Sequence, residues 1–513
     1  MTNQRSSGIL LHPTSLPGPF GIGDLGPKAY QWVDFLDHAG VGLWEVLPLG
    51  PTGYGNSPYQ CFSAFAGSPY LISPELLVKD GLLSLSDLIR HPSFPKKMVD
   101  FYRVSVWKDK LFNSAYKNFQ KQSIKFNVEF GEFQTKQSFW LPDYATYMAI
   151  KETLNNIAWS QWPDGFQHRK NKFINEFISN NKERILYYKF LQFIFFRQWQ
   201  SLYEYAHKKN ISIIGDIPLF IAYDSADVWA KPELFDLTND LQPRVIAGVP
   251  PDYFSPTGQL WGNPHYQWSV HKKHKYDWWI ERFKITMRMV DIVRLDHFRG
   301  FCGYWEVPAG NSTAEQGRWV KGPGIHFFSS LEKSLGKIPI IAEDLGIITP
   351  DVEQLRDYFN FPGMRILQFS FGSDASDPFL PHNYPVNCVA YTGTHDNATA
   401  RGWYLSASEK ERRICRKYLN SSGRHISWDM INAVWSSVSK FAIAPMQDFL
   451  ELSNQARMNF PGKMENNWKW RMMDNCLTNQ LKKKIKAMNS VYGRDKDQKP
   501  ADKNSPIIRY EDR

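Results

Sequence analysis

Eight short apolar runs recur along the chain, each closed by proline or by a polar cluster, and they constrain the fold more than any other feature. They lie at residues 8–17, 41–49, 211–218, 289–300, 338–346, 364–371, 389–397 and 441–448. Runs this short, bounded by Gly and Pro, read as buried strands rather than helices. Between the first two, Ala29, Trp32, Val33 and Leu36 fall on one face of a helix over residues 28–39, and Gly40 stands at its C-terminal cap. Strand, helix and strand with short links make a parallel β-α-β unit, and eight such strands predict an α/β fold of the (β/α)8 TIM-barrel type.

Helical insertions interrupt the expected barrel. Residues 1–70 carry the first strands and a Gly-, Ser-, Pro- and Tyr-rich loop at 53–67, the composition of a ligand-binding surface loop. Residues 71–205 switch to long helical segments rich in Lys, Asn, Gln and aromatics, read as one or two inserted subdomains. The barrel resumes over 206–489, with a lid-like loop insertion at about 219–275, and 490–513 reads as a solvated polar tail. The 19 Trp, 24 Tyr and 35 Phe residues exceed what a core requires and suit a groove that stacks flat rings.

Composition excludes several classes of function. The net charge of +10 comes with no basic stripe interleaved with aromatics and no zinc-finger spacing, so a solvated basic surface is expected and nucleic acid is not. The five cysteines, at 61, 302, 388, 415 and 476, are scattered without a CxxC pair, which implies reduced thiols in a cytoplasmic setting. Residues 1–11 form neither a signal nor a transit peptide, and no run approaches the roughly 20 apolar residues that span a bilayer.

The strand ends carry the chemistry. Asp216 closes the third run, Arg294 and Asp296 the fourth, Glu343 the fifth, and His395 with Asp396 the seventh. Alternation puts Ile292, Arg294 and Asp296 on one side of their strand, where the guanidinium favours an ionised Asp296. On this stretch alone, a buried ion pair that only fixes packing fits equally well. Clustered carboxylates without Cys leave Mg2+ or Ca2+ open, although an arginine among metal ligands is unusual, and no metal or cofactor is expected. Two carboxylates on neighbouring strands are what glycosidic-bond cleavage needs. Ile341 and Ala342 precede Glu343, an apolar approach that lets its pKa rise so that it starts protonated.

Asp216, Arg294-Leu295-Asp296, Glu343 and His395-Asp396 resemble the ordered catalytic regions of the α-amylase superfamily. More closely, His12-Pro13-Thr14-Ser15-Leu16-Pro17-Gly18, Ser57-Pro58-Tyr59-Gln60, Pro250-Pro251-Asp252-Tyr253, Gly262-Asn263-Pro264, Arg294 through Gly300, Ala342-Glu343-Asp344-Leu345-Gly346 and Gly393-Thr394-His395-Asp396-Asn397 resemble the 4-alpha-glucanotransferases called amylomaltases or disproportionating enzymes. The similarity runs from about residue 8 to 475. It implies Asp296 as nucleophile, Glu343 as general acid/base and Asp396 as the carboxylate that stabilises the transition state. It further implies Asp216, Arg294, His297 and His395 as sugar-binding groups, Tyr59 as the donor platform, and Asp252, Gln259, Trp261 and Asn263 as lid and acceptor-side contacts. The partners it implies are maltooligosaccharides and glucans derived from starch or glycogen, with glucose as an acceptor.

Two positions depart from the family pattern. Glu45 stands where glutamine is expected and would add a charge near the barrel mouth, and Lys463 replaces the usual threonine after Pro461-Gly462. An α-glucan hydrolase shares the same carboxylates and differs only in whether water or a sugar attacks the intermediate. A glucan-binding protein without activity could keep the aromatics but has no need of all three carboxylates.

Overall fold

The computed structural model describes residues 5–497 apart from 252–254 and 464. Its strands are β1 (Ser6–Leu10), β2 (Leu43–Glu45), β3 (Ser212–Ile217), β4 (Val245–Val249), β5 (Gln259–Pro264), β6 (Ile292–Leu295), β7 (Gly303–Pro308), β8 (Arg318–Lys321), β9 (Ile340–Ala342), β10 (Gly363–Ile366), β11 (Cys388–Tyr391) and β12 (Phe441–Pro445). Eight of these close a barrel in the order β1, β2, β3, β6, β9, β10, β11, β12, with β12 returning to β1. Every pairing in it is parallel.

Alternation along each strand builds two cores. Leu10, Leu43, Ile214, Ile292, Ile341, Met364 and Ile443 point inward and fill the barrel. Ile9, Trp44, Ile213, Val293 and Ala442 point outward and pack under the helices. The helix expected over 28–39 spans Pro27–His38 and buries Ala29, Trp32, Val33 and Leu36. It ends in a Schellman turn: Gly40, at φ +67°, donates to the Asp37 carbonyl at 3.1 Å, and Val41 donates to that of Leu36 at 3.0 Å.

Several strands are shorter than their apolar runs. The second run yields only three strand residues, Leu43–Glu45, although Val46 N–H still donates to the Ile214 carbonyl at 2.8 Å. After β10 the chain turns into a 3-10 segment, Leu367–Gly372, and after β12 into a short helix, Met446–Phe449. In both places apolar side chains stay buried in a different backbone, and an apolar run alone does not separate the two.

The 219–275 stretch is more ordered than a loop. Its β4 and β5 join β7 and β8, which follow Asp296, in an antiparallel sheet of order β5, β4, β7, β8. Segments from either side of β6 thus form one sheet, a non-local pairing that no local pattern shows. Between Pro74 and Lys208 the regular elements are all helical, ending in the 27-residue helix Lys182–Lys208 that leads into β3.

The aromatic surplus is mostly core rather than groove. Trp32, Trp44, Trp159, Trp199, Trp229, Trp278, Trp279 and Trp435 are each under 2% exposed. The polar-tail expectation also needs correction for residues 490–497. The last helix runs to Val491, and Arg494 is fully buried, donating to the carbonyls of Trp435, Ser437, Ser439 and Ser6 at the base of the barrel. Lys496 pairs with Asp37 at 2.9 Å. Composition makes this segment look solvated, but its charges are matched by carbonyls and a carboxylate from residues distant in the chain. Residues 498–513 lie outside the described part. No helix among the described residues is long and apolar enough to cross a membrane.

Candidate active site

The register of three adjacent strands sets the centre of the site. Asp216 on β3 lies opposite Arg294 on β6, and Leu295 lies opposite Ala342 on β9. Asp296 and Glu343 therefore leave neighbouring strands at the same level. Such strands are about 4.8 Å apart, close to the roughly 5–5.5 Å that separates the carboxyls of a retaining site. Backbone bonds hold both exits, Asp296 N–H to the Ile217 carbonyl at 3.0 Å and Glu343 N–H to that of Leu295 at 3.1 Å.

Arg294 organises the charges. One of its nitrogens, Nη1, donates to Asp216 Oδ2 at 2.6 Å and to Asp296 Oδ1 at 3.0 Å. Burial opposes its charge, but Asp216 and Asp296 more than compensate and keep the guanidinium's pKa above its ordinary value. Tyr59 donates to Asp216 Oδ2 at 2.6 Å. Burial raises the Asp216 pKa against the pull of Arg294. The remaining oxygen, Oδ1, is buried without a partner.

Glu343 is held by the backbone. Its Oε2 accepts the His297 N–H at 2.7 Å and its Oε1 the Leu345 N–H at 3.1 Å. Burial outweighs the pull of Arg294 and of the His297 N–H, Asp296 adds to it, and the carboxyl is pushed well above the ordinary range. Burial thus shifts Glu343 toward its protonated form, the direction that its apolar approach suggested. A carboxylate held by an arginine and a protonated acid beside it are the two partners that a double displacement requires.

The third carboxylate comes from across the barrel. Asp396 follows β11 with its side chain 44% exposed, and its Oδ1 lies 3.3 Å from His395 Nε2. Burial lowers the His395 pKa and leaves the ring neutral, and this ring stacks on Tyr59 at 5.1 Å and 16°. Burial raises the Tyr59 pKa well above 10, so it remains a phenol. His297 adopts a left-handed backbone, φ +52°, which lets its own N–H reach Glu343. Its ring is pushed down to a pKa of about 3, chiefly by burial, and its Nε2 is buried without a partner. His297 Nε2 and Asp216 Oδ1 are thus free polar atoms suited to sugar hydroxyls.

Of the expected lid contacts, Trp261 on β5 sets its ring edge-on to His297 at 4.9 Å, and its Nε1 donates to Gln259 Oε1 at 3.3 Å. Asn263 is not free to bind substrate with its carbonyl. It is buried, its Oδ1 accepts from Gln60 at 3.1 Å, and its Nδ2 donates to the Ile221 carbonyl at 2.8 Å. It ties the lid sheet to the loops after β2 and β3. Asp252 and Tyr253 lie outside the described residues.

Two features of the site differ from expectation. Glu45, 3% exposed inside the barrel, is shifted toward its neutral form, since burial pushes its pKa up to about 8, Arg294 opposing and Asp216 adding. Asn459 was missed altogether; it donates to Asp396 Oδ1 at 2.6 Å from a loop beyond β12, and no sequence pattern links positions so far apart.

Glu45 leads to a stability prediction. Its native pKa lies above the unfolded value near 4.5, so folding holds a proton that the unfolded chain releases, and stability is lost as pH rises from about 4.5 to about 8. At about 1.4 kcal/mol per pKa unit the full loss is a few kcal/mol. Glu45→Gln, of similar shape and unable to ionise, should gain stability over the parent progressively from pH 5 to pH 8. Urea unfolding at both values measures this, and a constant difference would mean that Glu45 does not carry the proton.

Comparisons with known proteins point to one family. A family profile described as 4-alpha-glucanotransferase matches residues 11–478. A 4-alpha-glucanotransferase of Synechocystis sp. is 48% identical over 96% of this chain and 99% of its own. One from Thermus thermophilus is 45% identical over 94% and 98%. The solved amylomaltase of Streptococcus agalactiae, in complex with acarbose, superposes with a TM-score of 0.93 at 39% identity, covering 96% of this chain and all of that one.

Proposed function

Because the chain belongs to the 4-alpha-glucanotransferase family and acts as a glycosyltransferase on alpha-1,4-glucans, we propose that it transfers a glucan segment through a covalent ester on Asp296. Asp296 Oδ1 is held by Arg294, and Oδ2 attacks C1 of the donor sugar. As the C1–O4 bond breaks, Glu343 gives its proton to O4 and the released glucan leaves. The 4-hydroxyl of an acceptor glucose or glucan then attacks C1, Glu343 takes the hydroxyl proton, and the ester bond to Asp296 breaks. Asp396 binds donor hydroxyls and stabilises the charge that develops on the ring. The observation that carries this proposal is the contrast between Asp296, paired with Arg294, and Glu343, buried with its pKa raised and held by two backbone N–H groups.

Donors would be maltooligosaccharides and segments of starch or glycogen, with glucose as the smallest acceptor. Tyr59, Asp216, His297 and His395 would hold the donor sugar; Trp261 and Gln259 would border the acceptor. The five free cysteines suit a reducing, cytoplasmic setting.

Transfer competes with water at about 55 M, so a bound acceptor must be oriented and water kept from productive positions. Trp261, on the lid sheet and against His297, is placed for both tasks. Incubated with maltotriose alone, the protein should release glucose and build longer maltooligosaccharides with few new reducing ends. Trp261→Ala should raise the ratio of hydrolysis to transfer roughly three- to tenfold, equivalent to about 0.5–1.5 kcal/mol of ring contact. Product sizing together with a reducing-end assay reads both quantities. An unchanged ratio would place the selection against water elsewhere.

A further inference from the structure

Asp396 differs from the other two carboxylates in how it is held. Asp296 is anchored by Arg294 and Glu343 by two backbone N–H groups, all on the barrel strands or the turns beside them. The Asp396 side chain is 44% exposed, against 28% for Asp296 and 2% for Asp216. An exposed aspartate with no fixed partner samples several rotamers, and only some of them face a bound sugar.

Beside the longer contact to His395 Nε2 at 3.3 Å, a segment after β12 supplies the short restraint on Asp396. The Asn459 side chain donates to Asp396 Oδ1 at 2.6 Å, and its backbone N–H donates to the His395 carbonyl at 3.1 Å. Arg457 bridges the same two strands of chain, one nitrogen donating to the Asp396 carbonyl and Nε to the Asn459 carbonyl at 2.7 Å. The arginine lies over the Phe460 ring at 4.6 Å. On either side of Asn459 the segment is pinned in turn: Phe460 N–H donates to Asn467 Oδ1 at 2.9 Å, and Trp468 N–H to the Met458 carbonyl at 2.7 Å. The Trp468 ring packs 5.8 Å from Tyr59 and 5.9 Å from His395.

On the role given above to Asp396, we infer that Asn459 is a positioning residue for the transfer reaction, fixing the Asp396 rotamer by occupying Oδ1 and leaving Oδ2 for donor hydroxyls. Asn459 need not touch the substrate. A neutral donor suits the task, because the carboxylate keeps its full charge for the transition state, whereas a lysine in its place would neutralise it. Arg457 donates to the carbonyls of Asp396 and Asn459 and so holds Asn459 in reach of Asp396, while its charge attracts the carboxylate from the same side. A misplacement of about 1 Å at such a group costs on the order of 100-fold in rate.

A double-mutant cycle on the full-length protein, read with an activated glucosyl fluoride donor and maltose as acceptor, tests this inference. Asn459→Ala should lower kcat about 10- to 100-fold with a smaller change in KM, the scale of a misplaced catalytic group. In an Asp396→Ala background the same change should cost under about threefold, since nothing is left to position. Asn459→Asp, close in shape, replaces the donor with a second carboxylate. It should fall below the alanine variant at pH 7 and recover relative to it towards pH 5, where a proton shared between the two acids restores the bond. Equal losses from Asn459→Ala in both backgrounds, or a parent-like kcat in Asn459→Ala, would overturn the inference. A near-parental rate in Asp396→Ala alone would instead overturn the role of Asp396. Thermal unfolding of each variant separates loss of fold from loss of position.

Discussion

Replacing Asp296 with alanine should lower turnover of maltotriose by roughly 10⁴-fold or more, about 5.5 kcal/mol of barrier, while the barrel stays folded. The fold should survive because the Asp296 side chain is 28% exposed and its partner Arg294 keeps the shorter bond, 2.6 Å, to buried Asp216. Arg294 is thus not left as an uncompensated buried charge, the condition that makes breaking an ion pair costly. The rate should collapse because no other group on the β6 side stands level with Glu343; Leu295, in register with Ala342, points away from the barrel interior. The variant also leaves room for a small external nucleophile. With a glucosyl fluoride donor, added azide should restore part of the rate and give a glucosyl azide of inverted configuration, because azide then attacks once where the parent displaces twice. Turnover within tenfold of the parent would remove Asp296 from the reaction, and azide rescue with retained configuration would move the nucleophile to another residue.

Glu343→Gln should produce a different failure. On natural glucans the leaving O4 needs a proton, and loss of that proton should cost about 10²–10⁴-fold. Fluoride leaves without one, so the first displacement should proceed and the ester on Asp296 should accumulate, since glutamine cannot take the acceptor's proton in the second step. Intact mass should show one added glucosyl residue, and peptide mapping should place it on Asp296. The pH dependence separates this role from a structural one. Burial holds the Glu343 carboxyl protonated well above its ordinary range, so the parent's activity on glucans should fall as pH rises through that raised pKa. Glutamine does not titrate, and the corresponding alkaline decline should be absent when the variant is assayed with the fluoride. No adduct, with donor binding retained, would separate Glu343 from Asp296 as a catalytic pair.

The two variants probe one electrostatic device from opposite sides. Arg294 is a single positive charge facing Asp216, Asp296 and Glu343 inside a low-dielectric barrel, with Glu45 among the interior residues beneath. One guanidinium cannot keep so many buried acids ionised. It contacts Asp216 and Asp296 directly, while burial raises the pKa of Glu343, of Glu45 and of Asp216 alike.

The barrel was legible in the sequence because it rests on short-range signals: eight apolar runs, a period of two within each strand and polar residues at their ends. Arg294 and Asp296 could be placed on one side of a strand for the same reason, since two residues of spacing fix their direction. Asp216, Glu343, His395 and Asp396 could be grouped because a closed barrel gathers every strand end on one rim. Tertiary structure alone decided the rest. Whether Glu45 carries a charge depends on burial beside Arg294 and Asp216, which lie on other strands. That Asn263 is a tie and not a free ligand depends on Gln60 and Ile221, from two further loops. The grip of Asn459 on Asp396 spans 63 residues of chain, and the anchoring of Arg494 to Ser6 spans 488. Such contacts leave no periodicity to read. They arise when the barrel closes and brings distant segments within a hydrogen bond of one another, and burial there sets which groups keep their charge.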